Sequence, residues 1–275
     1  MTDSMSDQNG VAVITGGASG IGRAFARAYA DRGAHVLIGD IDEAATRLVA
    51  DELAATGARV DTSKLDLRDA ASVSEFGSFA EQLGTITAVC LNAGVTSTGT
   101  TLWDTSDSAY DFVTDVNMGG LFRSVRVFVP ILVNQHRPAD IVITASMAGM
   151  VASAYSGVYA ASKAGAVALA KSLRAELQMV APAIRVALLN PGMVKTNLIR
   201  SSAAQLPSEA AMSAELVDGS HDALNQIGVE PEVAVGWAFD ALQQGRFWAM
   251  PPEDDPFMHM LRTELSELQE ESARS

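Results

Sequence analysis

The chain has 275 residues, a formal net charge of −14, a hydrophobic fraction of 48% and a charged fraction of 19%. These values are typical of a globular protein that is long enough to bury a large core. The acidic charge argues against nucleic acid or an anionic membrane as a partner, because either would repel the protein at long range. The polar start MTDSMSDQNG is unlike a secretory signal, and no apolar run approaches the roughly 18 residues that span a bilayer. We therefore expect a cytoplasmic protein that binds neither nucleic acid nor membrane.

Short β-branched runs alternate along the chain with longer segments of helical apolar spacing. This alternation predicts a parallel sheet with helices on both faces. Seven strands are predicted, at 11–15, 35–40, 59–66, 87–92, 140–146, 185–190 and 246–250. Helices are predicted at 21–32, 42–56, 69–83, 107–135, 157–180 and 230–244. No linker or repeat divides the chain, so we predict a single domain over 11–250, after a flexible tail at 1–10 and before a helical tail at 251–275.

The turn after the first predicted strand is rich in glycine, with the sequence TGGASGIG at 15–22. Gly16, Gly20 and Gly22 allow a sharp turn and a close approach of the backbone to a pyrophosphate at the start of the next helix. The spacing is GxxxGxG, whereas the general dinucleotide fingerprint is GxGxxG. A tight turn without a ligand remains the alternative at this point.

Asp40 ends the second predicted strand, where a carboxylate can accept hydrogen bonds from the hydroxyls of an adenosine ribose. The same carboxylate would repel a 2′-phosphate, and Ser19, before Gly20, supplies no cation for one. Both features favour NAD over NADP. The alternative is that Asp40 caps the helix that starts near Asp42.

The segment YAASKAG, residues 159–165, places Tyr159 and Lys163 one helical turn apart on one face. An ammonium in this position can act on the phenol or on a ligand bound beside it. A Tyr and a Lys on a partly exposed helix are the alternative. Cys90, in the apolar run TAVCLNAG, is interpreted as a small buried side chain, not as a reactive thiol.

Seven motifs in order, from about Val11 to Met250, resemble those of the short-chain dehydrogenase/reductase family. They are TGxxxGxG at 15–22, Asp66 in LDLRD, NAG at 92–94, Asn117 in DVNMGG, Ser146 in ITASMAG, YAASK at 159–163 and NPGMVKT at 190–196. The resemblance implies a Rossmann-type doubly wound domain with the strand order 3-2-1-4-5-6-7. It also implies hydride transfer between NAD(H) and a hydrophobic or aromatic secondary alcohol or ketone.

The resemblance assigns roles to four catalytic residues. Tyr159 would exchange the hydroxyl proton of the substrate as general acid and base. Ser146 would hydrogen-bond the substrate oxygen. Lys163 would hold the nicotinamide ribose and, together with the cationic nicotinamide, lower the pKa of Tyr159. Asn117 would anchor a water on a proton path to solvent, although a structural hydrogen-bonding role is its alternative.

The same resemblance predicts the residues that bind the dinucleotide. They are Gly16, Ser19, Gly20, Ile21, Gly22, Asp40, Ile41, Asp66, Leu67, Asn92, Ala93, Gly94, Tyr159, Lys163, Pro191, Gly192, Val194 and Thr196.

The predicted substrate pocket is apolar, which favours a hydrophobic or aromatic alcohol over a sugar. Its predicted residues are Val95, Met147, Val151, Tyr155 and Met193, with Met150 and Met212 as further candidates. Residues 193–229 are predicted to form a lid over it. His221 and Asp222 in that lid can be read as a polar handle or a metal pair, but we favour solvated loop residues and expect no metal site.

One departure from the family concerns the end of the chain. At the C-terminus, the sequence RFWAMPPEDDP and a helical tail stand in place of the sequence with which members of the family usually end. This difference puts the family's usual C-terminal subunit contact in doubt. The long predicted helices 107–135 and 157–180 still favour a homodimer or homotetramer. Two alternatives to a dehydrogenase are an epimerase or isomerase that recycles its NAD and a non-catalytic dinucleotide-binding protein.

Overall fold

The computed structural model describes residues 10–274, so the predicted tail at 1–10 lies outside the described residues apart from Gly10. Seven parallel strands form one sheet in the order β3-β2-β1-β4-β5-β6-β7, which confirms the predicted Rossmann-type order. The strands are β1 (Val11–Thr15), β2 (His35–Asp40), β3 (Val60–Lys64), β4 (Ile86–Leu91), β5 (Ala139–Thr144), β6 (Ile184–Leu189) and β7 (Trp248–Ala249).

Ten α-helices are found within residues 10–274. They are α1 (Gly20–Ala30), α2 (Glu43–Ala54), α3 (Ala70–Leu83), α4 (Asp107–Thr114), α5 (Leu121–Asn134), α6 (Gly157–Val180), α7 (Leu198–Gln205), α8 (Ala214–Ile227), α9 (Pro231–Gln243) and α10 (Pro256–Arg274). A π-helical turn, Asp115–Gly120, joins α4 to α5, so the predicted helix 107–135 is continuous but changes its winding in the middle. Such turns often accompany functional sites, and this one carries Asn117.

Both faces of the sheet are buried, because alternate residues of each strand point to opposite sides. In β1, Val11 and Val13 belong to a hydrophobic cluster with Phe76 and Phe128, from α3 and α5. Ala12 and Ile14 belong to a second cluster, on the side of α1 and α9. This two-sided burial explains why the strands read as continuous apolar runs.

The two edge strands differ most from their predicted lengths. Strand β7 has two residues, which pair with Leu188 and Leu189, where five were predicted at 246–250. Strand β3 is also shorter than the predicted 59–66. An edge strand has one neighbour and not two, so fewer ladder hydrogen bonds hold its ends in register.

The helix Asp107–Asn134 is, within residues 10–274, the one helix long and apolar enough by length and composition to cross a membrane. The sequence argument had found no such segment. Phe128 and Leu132 of this helix are 1% and 0% exposed in the core beside the sheet. The apolar residues on one side of this helix therefore pack against the sheet.

Residues 193–229 leave the sheet and return to nearly the same place. Val194 and Val229 form an isolated parallel bridge, and Val229 N donates to Met193 O at 3.0 Å. Helices α7 and α8 lie between these two ends and pack against each other. The sequence pattern predicted neither helix.

Candidate active site

A cavity of about 740 Å³ lies at the carboxyl ends of the strands, where parallel α/β sheets generally bind ligands. It reaches from the glycine-rich turn and Asp40 to Ser146, Tyr159 and Lys163. Every residue predicted to bind a dinucleotide lines it, except Gly22. The sheet thus brings residues from all seven motif segments to one space, with Val116 as the contribution of DVNMGG.

The glycine-rich turn forms a cradle that larger residues would fill. Gly16 and Gly20 have φ angles of 68° and 50°, in the left-handed region that favours glycine. A Cβ on Gly22 would lie 1.9 Å from Gly16 O, so Gly22 supports the turn from behind. Ser19 makes no side-chain cap hydrogen bond at the start of α1. The first N–H groups of α1 can therefore bind a phosphate at the cavity.

Asp40 links the end of β2 to this cradle. Its Oδ2 accepts from Ala18 N at 3.0 Å, and its Oδ1 accepts from Asp42 N at 3.1 Å. Burial raises the pKa of Asp40, while the hydrogen bonds from these backbone N–H groups oppose the rise. The helix cap of α2 is Asp42, whose side chain accepts from Ala45 N at 2.9 Å, so the capping alternative for Asp40 is wrong.

Asp66 is held by a residue that the sequence argument missed. Arg68 Nε and Nη2 donate to Asp66 Oδ1 and Oδ2 at 3.0 and 2.9 Å. The hydrogen bond from the guanidinium is the main reason why the pKa of Asp66 is lowered. Both residues line the cavity, and the cation two positions after Asp66 was the available signal.

Tyr159 and Lys163 lie together at the part of the cavity that Ser146 also lines. Lys163 Nζ lies 5.8 Å from the ring centroid of Tyr159 and donates to Thr144 O at 3.2 Å. Burial lowers the pKa of Lys163 to about 8. Burial raises the pKa of Tyr159, and a hydrogen bond with Ser146 opposes that rise. Burial therefore leaves the pKa of the phenol raised in this structure, whereas the sequence argument expected Lys163 and a cationic nicotinamide together to lower it.

Ser146 is positioned by the turn that follows β5. Its Oγ accepts from Ala148 N at 3.1 Å, which caps the short 3-10 turn Met147–Gly149. Because a hydroxyl can accept and donate at once, this bond leaves the Ser146 O–H able to donate to the phenol of Tyr159, with which it is hydrogen-bonded, or to an oxygen bound in the cavity.

Asn117 is 4% exposed and lies outside the cavity lining. Its Oδ1 accepts from Val95 N at 2.8 Å, while its Nδ2 donates to Val95 O and Ser162 Oγ, both at 2.9 Å. These bonds hold the chain after β4 in place. Gly94 in that segment packs closely against both side chains, because a Cβ on it would lie 3.0 Å from Lys163 Nζ and 3.1 Å from Asn117 Oδ1. The side chain thus has the structural contacts of the alternative role; the water-anchoring role stays a prediction.

Of the five residues predicted to form the substrate pocket, only Val95 lines the cavity. Val95 lines the cavity, whereas Met147 and Val151 are 0% and 1% exposed in the interior. Tyr155 is 59% exposed with a φ of 63°, and Met193 lies at the base of the segment 193–229. In this structure, none of these four side chains lines the cavity. Met150 and Met212 do not line it either.

The wall opposite the strands comes from residues that the sequence argument did not single out. They are Asn197, Leu198, Ser201, Ala204 and Gln205 around α7, and Leu224 of α8. Val116, from the π-helical turn, adds a further apolar contact. Residues 193–229 carry no recognisable motif beyond NPGMVKT, so the spacing of residues in the sequence could not predict which of them form this wall of the cavity.

His221 and Asp222 both lie in α8, and the prediction of solvated loop residues is wrong for His221, which is 7% exposed. Asp222 is exposed. Within residues 10–274, no group of three or more His, Cys, Asp or Glu side chains is placed to hold a metal ion. Cys90 is buried, as interpreted from the sequence, and burial raises the pKa of its thiol.

The start of the C-terminal tail contacts the cavity wall. A Cβ on Gly192 would lie 2.9 Å from Asp255 Oδ2 and 3.2 Å from Phe257 Cδ2. Asp255 Oδ1 also accepts from Phe257 N at 2.8 Å, at the beginning of α10. The tail is therefore packed on the Pro191–Gly192 turn.

Comparison with known proteins places this site in a family. The family model for short chain dehydrogenases matches residues 10–207. A 1-deoxy-11-beta-hydroxypentalenate dehydrogenase from Streptomyces exfoliatus is 40% identical over 77% of this chain and 78% of its own length. The enzyme of the same name from Streptomyces arenae is 36% identical over 92% and 86%. A short chain dehydrogenase/reductase from Burkholderia phymatum, solved in complex with NAD, has a TM-score of 0.87 and 32% identity over 96% of this chain and 97% of its own.

Proposed function

The chain belongs to the short-chain dehydrogenase/reductase family, and from that premise we propose that it interconverts a hydrophobic or aromatic secondary alcohol and its ketone with NAD(H). The observation that carries the proposal is the single cavity that joins Asp40 and the glycine cradle to Ser146 and Tyr159. A dinucleotide lying along it would place its nicotinamide beside the reacting carbon.

The described residues fit NAD. Gly16 and Gly20 have left-handed backbone, in which a residue with a side chain would be strained, and the cradle that they form has room for a pyrophosphate. The first turn of α1 offers free N–H groups to it. Asp40 is on the cavity and, among residues 10–274, has no cationic side chain within hydrogen-bonding distance, so it suits ribose hydroxyls and not a 2′-phosphate. The relative from Burkholderia phymatum binds NAD in the same fold.

The nicotinamide supplies the hydride acceptor or donor, and the chain's own residues handle the proton. In the reducing direction, Tyr159 Oη gives its proton to the ketone oxygen, and Ser146 Oγ donates a hydrogen bond to the same oxygen. Because the pKa of Tyr159 is raised, the phenol holds that proton at neutral pH. In the oxidising direction the same atom takes the proton from the alcohol.

Lys163 positions these groups. One N–H of its ammonium is used by Thr144 O at 3.2 Å, which leaves two to hold the nicotinamide ribose. The cationic nicotinamide and the ammonium would together favour the phenolate of Tyr159 when alcohol is oxidised.

The apolar part of the cavity lining supports an apolar substrate. Val95, Val116 and Leu224 contribute hydrocarbon surface, and the two Streptomyces relatives are named for a dehydrogenase of a hydroxypentalenate. We further propose that residues 193–229 act as a lid, since their two ends are joined at Val194 and Val229 while α7 and α8 cover the cavity.

A homodimer or homotetramer remains part of the proposal. Phe122 of α5 is 50% exposed, and Met179 and Val180 at the end of α6 are 84% and 70% exposed. Exposed apolar side chains on these two long helices suit a subunit interface. Cytoplasmic location stays a prediction from the sequence.

The proposal is tested by replacing Tyr159 with Phe, which removes one oxygen and keeps the ring. NADH formation from a panel of hydrophobic secondary alcohols should fall by about 10²–10⁴-fold, while folding and NAD affinity are kept. Tyr155→Phe is the matched control, because Tyr155 is exposed and off the cavity. Loss of activity in Tyr155→Phe with retention in Tyr159→Phe would refute the assignment of the phenol. Net NADH formation by the unmodified protein also separates a dehydrogenase from an epimerase that recycles its NAD.

A further inference from the structure

The loop after β3, residues 65–68, carries a cation that the proposed reaction does not use. Apart from Lys163, Arg68 is the one cationic side chain among the described residues that line the cavity. Its guanidinium donates two hydrogen bonds to the carboxylate of Asp66 and lies 5.8 Å from the ring centroid of Phe112. Arginine in a nucleotide site commonly binds a phosphate. This arginine is committed to a carboxylate instead, so its position needs a physical reason.

The order of the strand ends places this loop beside the adenine of a bound dinucleotide. Ser146 follows β5, the glycine cradle follows β1, Asp40 ends β2 and the loop follows β3, along one edge of the sheet. Leu65 N donates to Asp40 O at 2.9 Å, so the loop lies directly beside the residue that suits the ribose. A dinucleotide with its nicotinamide at Ser146 and its adenosine ribose at Asp40 therefore extends its adenine toward residues 65–68.

Neighbouring helices hold the main chain of the loop. Asp66 N donates to Ser72 Oγ of α3 at 3.1 Å, and Leu67 O accepts from Arg123 Nη1 of α5 at 2.9 Å. These two bonds fix the backbone of the loop on both sides of the Asp66 side chain. The direction of the Asp66 carboxylate then depends on Arg68, which binds both of its oxygens.

The hydrogen bonds from Arg68 leave Asp66 with one acceptor site. Asp66 Oδ1 accepts from the backbone N–H and from Nε of Arg68, at 2.9 and 3.0 Å, and Oδ2 accepts from Nη2 at 2.9 Å. Each carboxylate oxygen has two lone-pair sites, so Oδ1 is filled, while Oδ2 keeps one that no donor of residues 10–274 uses. The guanidinium also lowers the pKa of Asp66, so the carboxylate is ionised at neutral pH and has no proton to donate. Asp66 can therefore bind only a group that carries an N–H or an O–H.

We propose, on the basis of the proposed binding of NAD, that Arg68 is a positioning residue, which holds the Asp66 carboxylate so that Oδ2 accepts a hydrogen bond from the 6-amino group of adenine. Adenine carries this N–H donor. Hypoxanthine has a carbonyl oxygen at the same place, which would face the lone pair of Oδ2. The pair Asp66–Arg68 thus selects the adenine form of the dinucleotide. This selectivity depends on the fork geometry of the guanidinium and not on its charge alone.

The test compares the dissociation constants of NAD and of nicotinamide hypoxanthine dinucleotide, measured by calorimetry without substrate. The unmodified protein should bind NAD about tenfold more tightly. Arg68→Met removes the fork and the charge and should bring that ratio toward one. Arg68→Lys keeps the charge, but an ammonium cannot hold both oxygens in the same geometry, so the ratio should fall to about threefold. A purely structural role of Arg68, or a long-range attraction for the phosphates, would weaken both dinucleotides equally and leave the ratio unchanged.

Arg27→Met is the matched control, because Arg27 also pairs with a carboxylate, that of Glu52, but lies on α1 and off the cavity. It should leave the ratio as it is, and a fall as large as in Arg68→Met would overturn the inference. Asp66→Asn should abolish the ratio by itself. Adding Arg68→Met to Asp66→Asn should then change the ratio no further, because the two residues act through one contact.

The Arg68 side chain is 46% exposed, so both of its variants should fold; if Arg68→Met does not, the ratio in Arg68→Lys decides. Equal binding of the two dinucleotides by the unmodified protein overturns the inference, as does a ratio that stays complete in Arg68→Met or Arg68→Lys. Binding of neither dinucleotide would overturn the inference and the proposed function together. Binding with the expected ratios, but without NADH formation from any secondary alcohol, would refute the proposed function alone.

Discussion

Lys163 should destabilise the fold at neutral pH, so Lys163→Met should yield a more stable and inactive protein. Burial lowers the pKa of this ammonium from 10.5 to about 8. At about 1.4 kcal/mol for each pH unit, the difference corresponds to about 3 kcal/mol of unfavourable free energy. Methionine has a similar length and carries no charge. It loses the hydrogen bond to Thr144 O, worth about 1 kcal/mol, so the net gain at neutral pH is about 2 kcal/mol.

The pH dependence gives this prediction its sign. Below about pH 8 both states hold the Lys163 proton and the cost of burying the charge is complete. Between about 8 and 10.5 the unfolded state binds more protons than the folded one, so the stability of the unmodified protein rises with pH. Above 10.5 the ammonium is neutral in both states, and the advantage of Lys163→Met should have disappeared.

Urea unfolding of both proteins without dinucleotide, followed by circular dichroism at several pH values, measures this difference directly. Tyr155→Phe at the exposed tyrosine is a suitable control for general effects of substitution. A Lys163→Met variant less stable than the unmodified protein at pH 7, or a stability difference that does not change with pH, would refute the reasoning.

Two further predictions concern the cofactor and the lid. Asp40 should make NAD more than tenfold better than NADP in kcat/KM, which requires about 1.4 kcal/mol, and Asp40→Ala should shrink that ratio; equal use of both cofactors by the unmodified protein would contradict it. Residues 193–229 should exchange amide hydrogens faster than the rest of residues 10–250 without ligands and become protected when NAD and substrate bind, as hydrogen exchange by mass spectrometry can measure; unchanged protection would mean a fixed structural segment.

Much of the fold could be predicted because local patterns decide it. The runs VAVIT and HVLIGD have consecutive apolar residues, Val11–Ile14 and Val36–Ile38, and become β1 and β2, whose central residues are buried on both faces of the sheet. The glycines at 16 and 20 require left-handed backbone in the turn, and both have it. Asp40 follows directly from the end of β2, and a strand end points to the edge of the sheet where the cavity lies.

Other features depended on contacts between distant segments. The bonds of Asn117 to the backbone of Val95 join residues 22 positions apart, and no local pattern shows that its amide is already engaged. The pKa of Tyr159 depends on how deeply the phenol is buried, and spacing to Lys163 carries no such information. The sequence shows Arg68 two residues after Asp66, but it does not show that the guanidinium donates hydrogen bonds to both carboxylate oxygens of Asp66.

The sequence by itself determined the order of strands and helices, the glycine-rich turn and Asp40, because these depend on side-chain periodicity and on backbone freedom within short segments. The other residues at the dinucleotide end of the cavity were predicted through the resemblance of the motifs to those of the family. The tertiary structure decided the substrate wall and the burial of His221. The side chains that helices α7 and α8 bury depend on how each helix packs on the other and over the sheet. Burial of that kind is a property of packed neighbours, which are far apart along the chain.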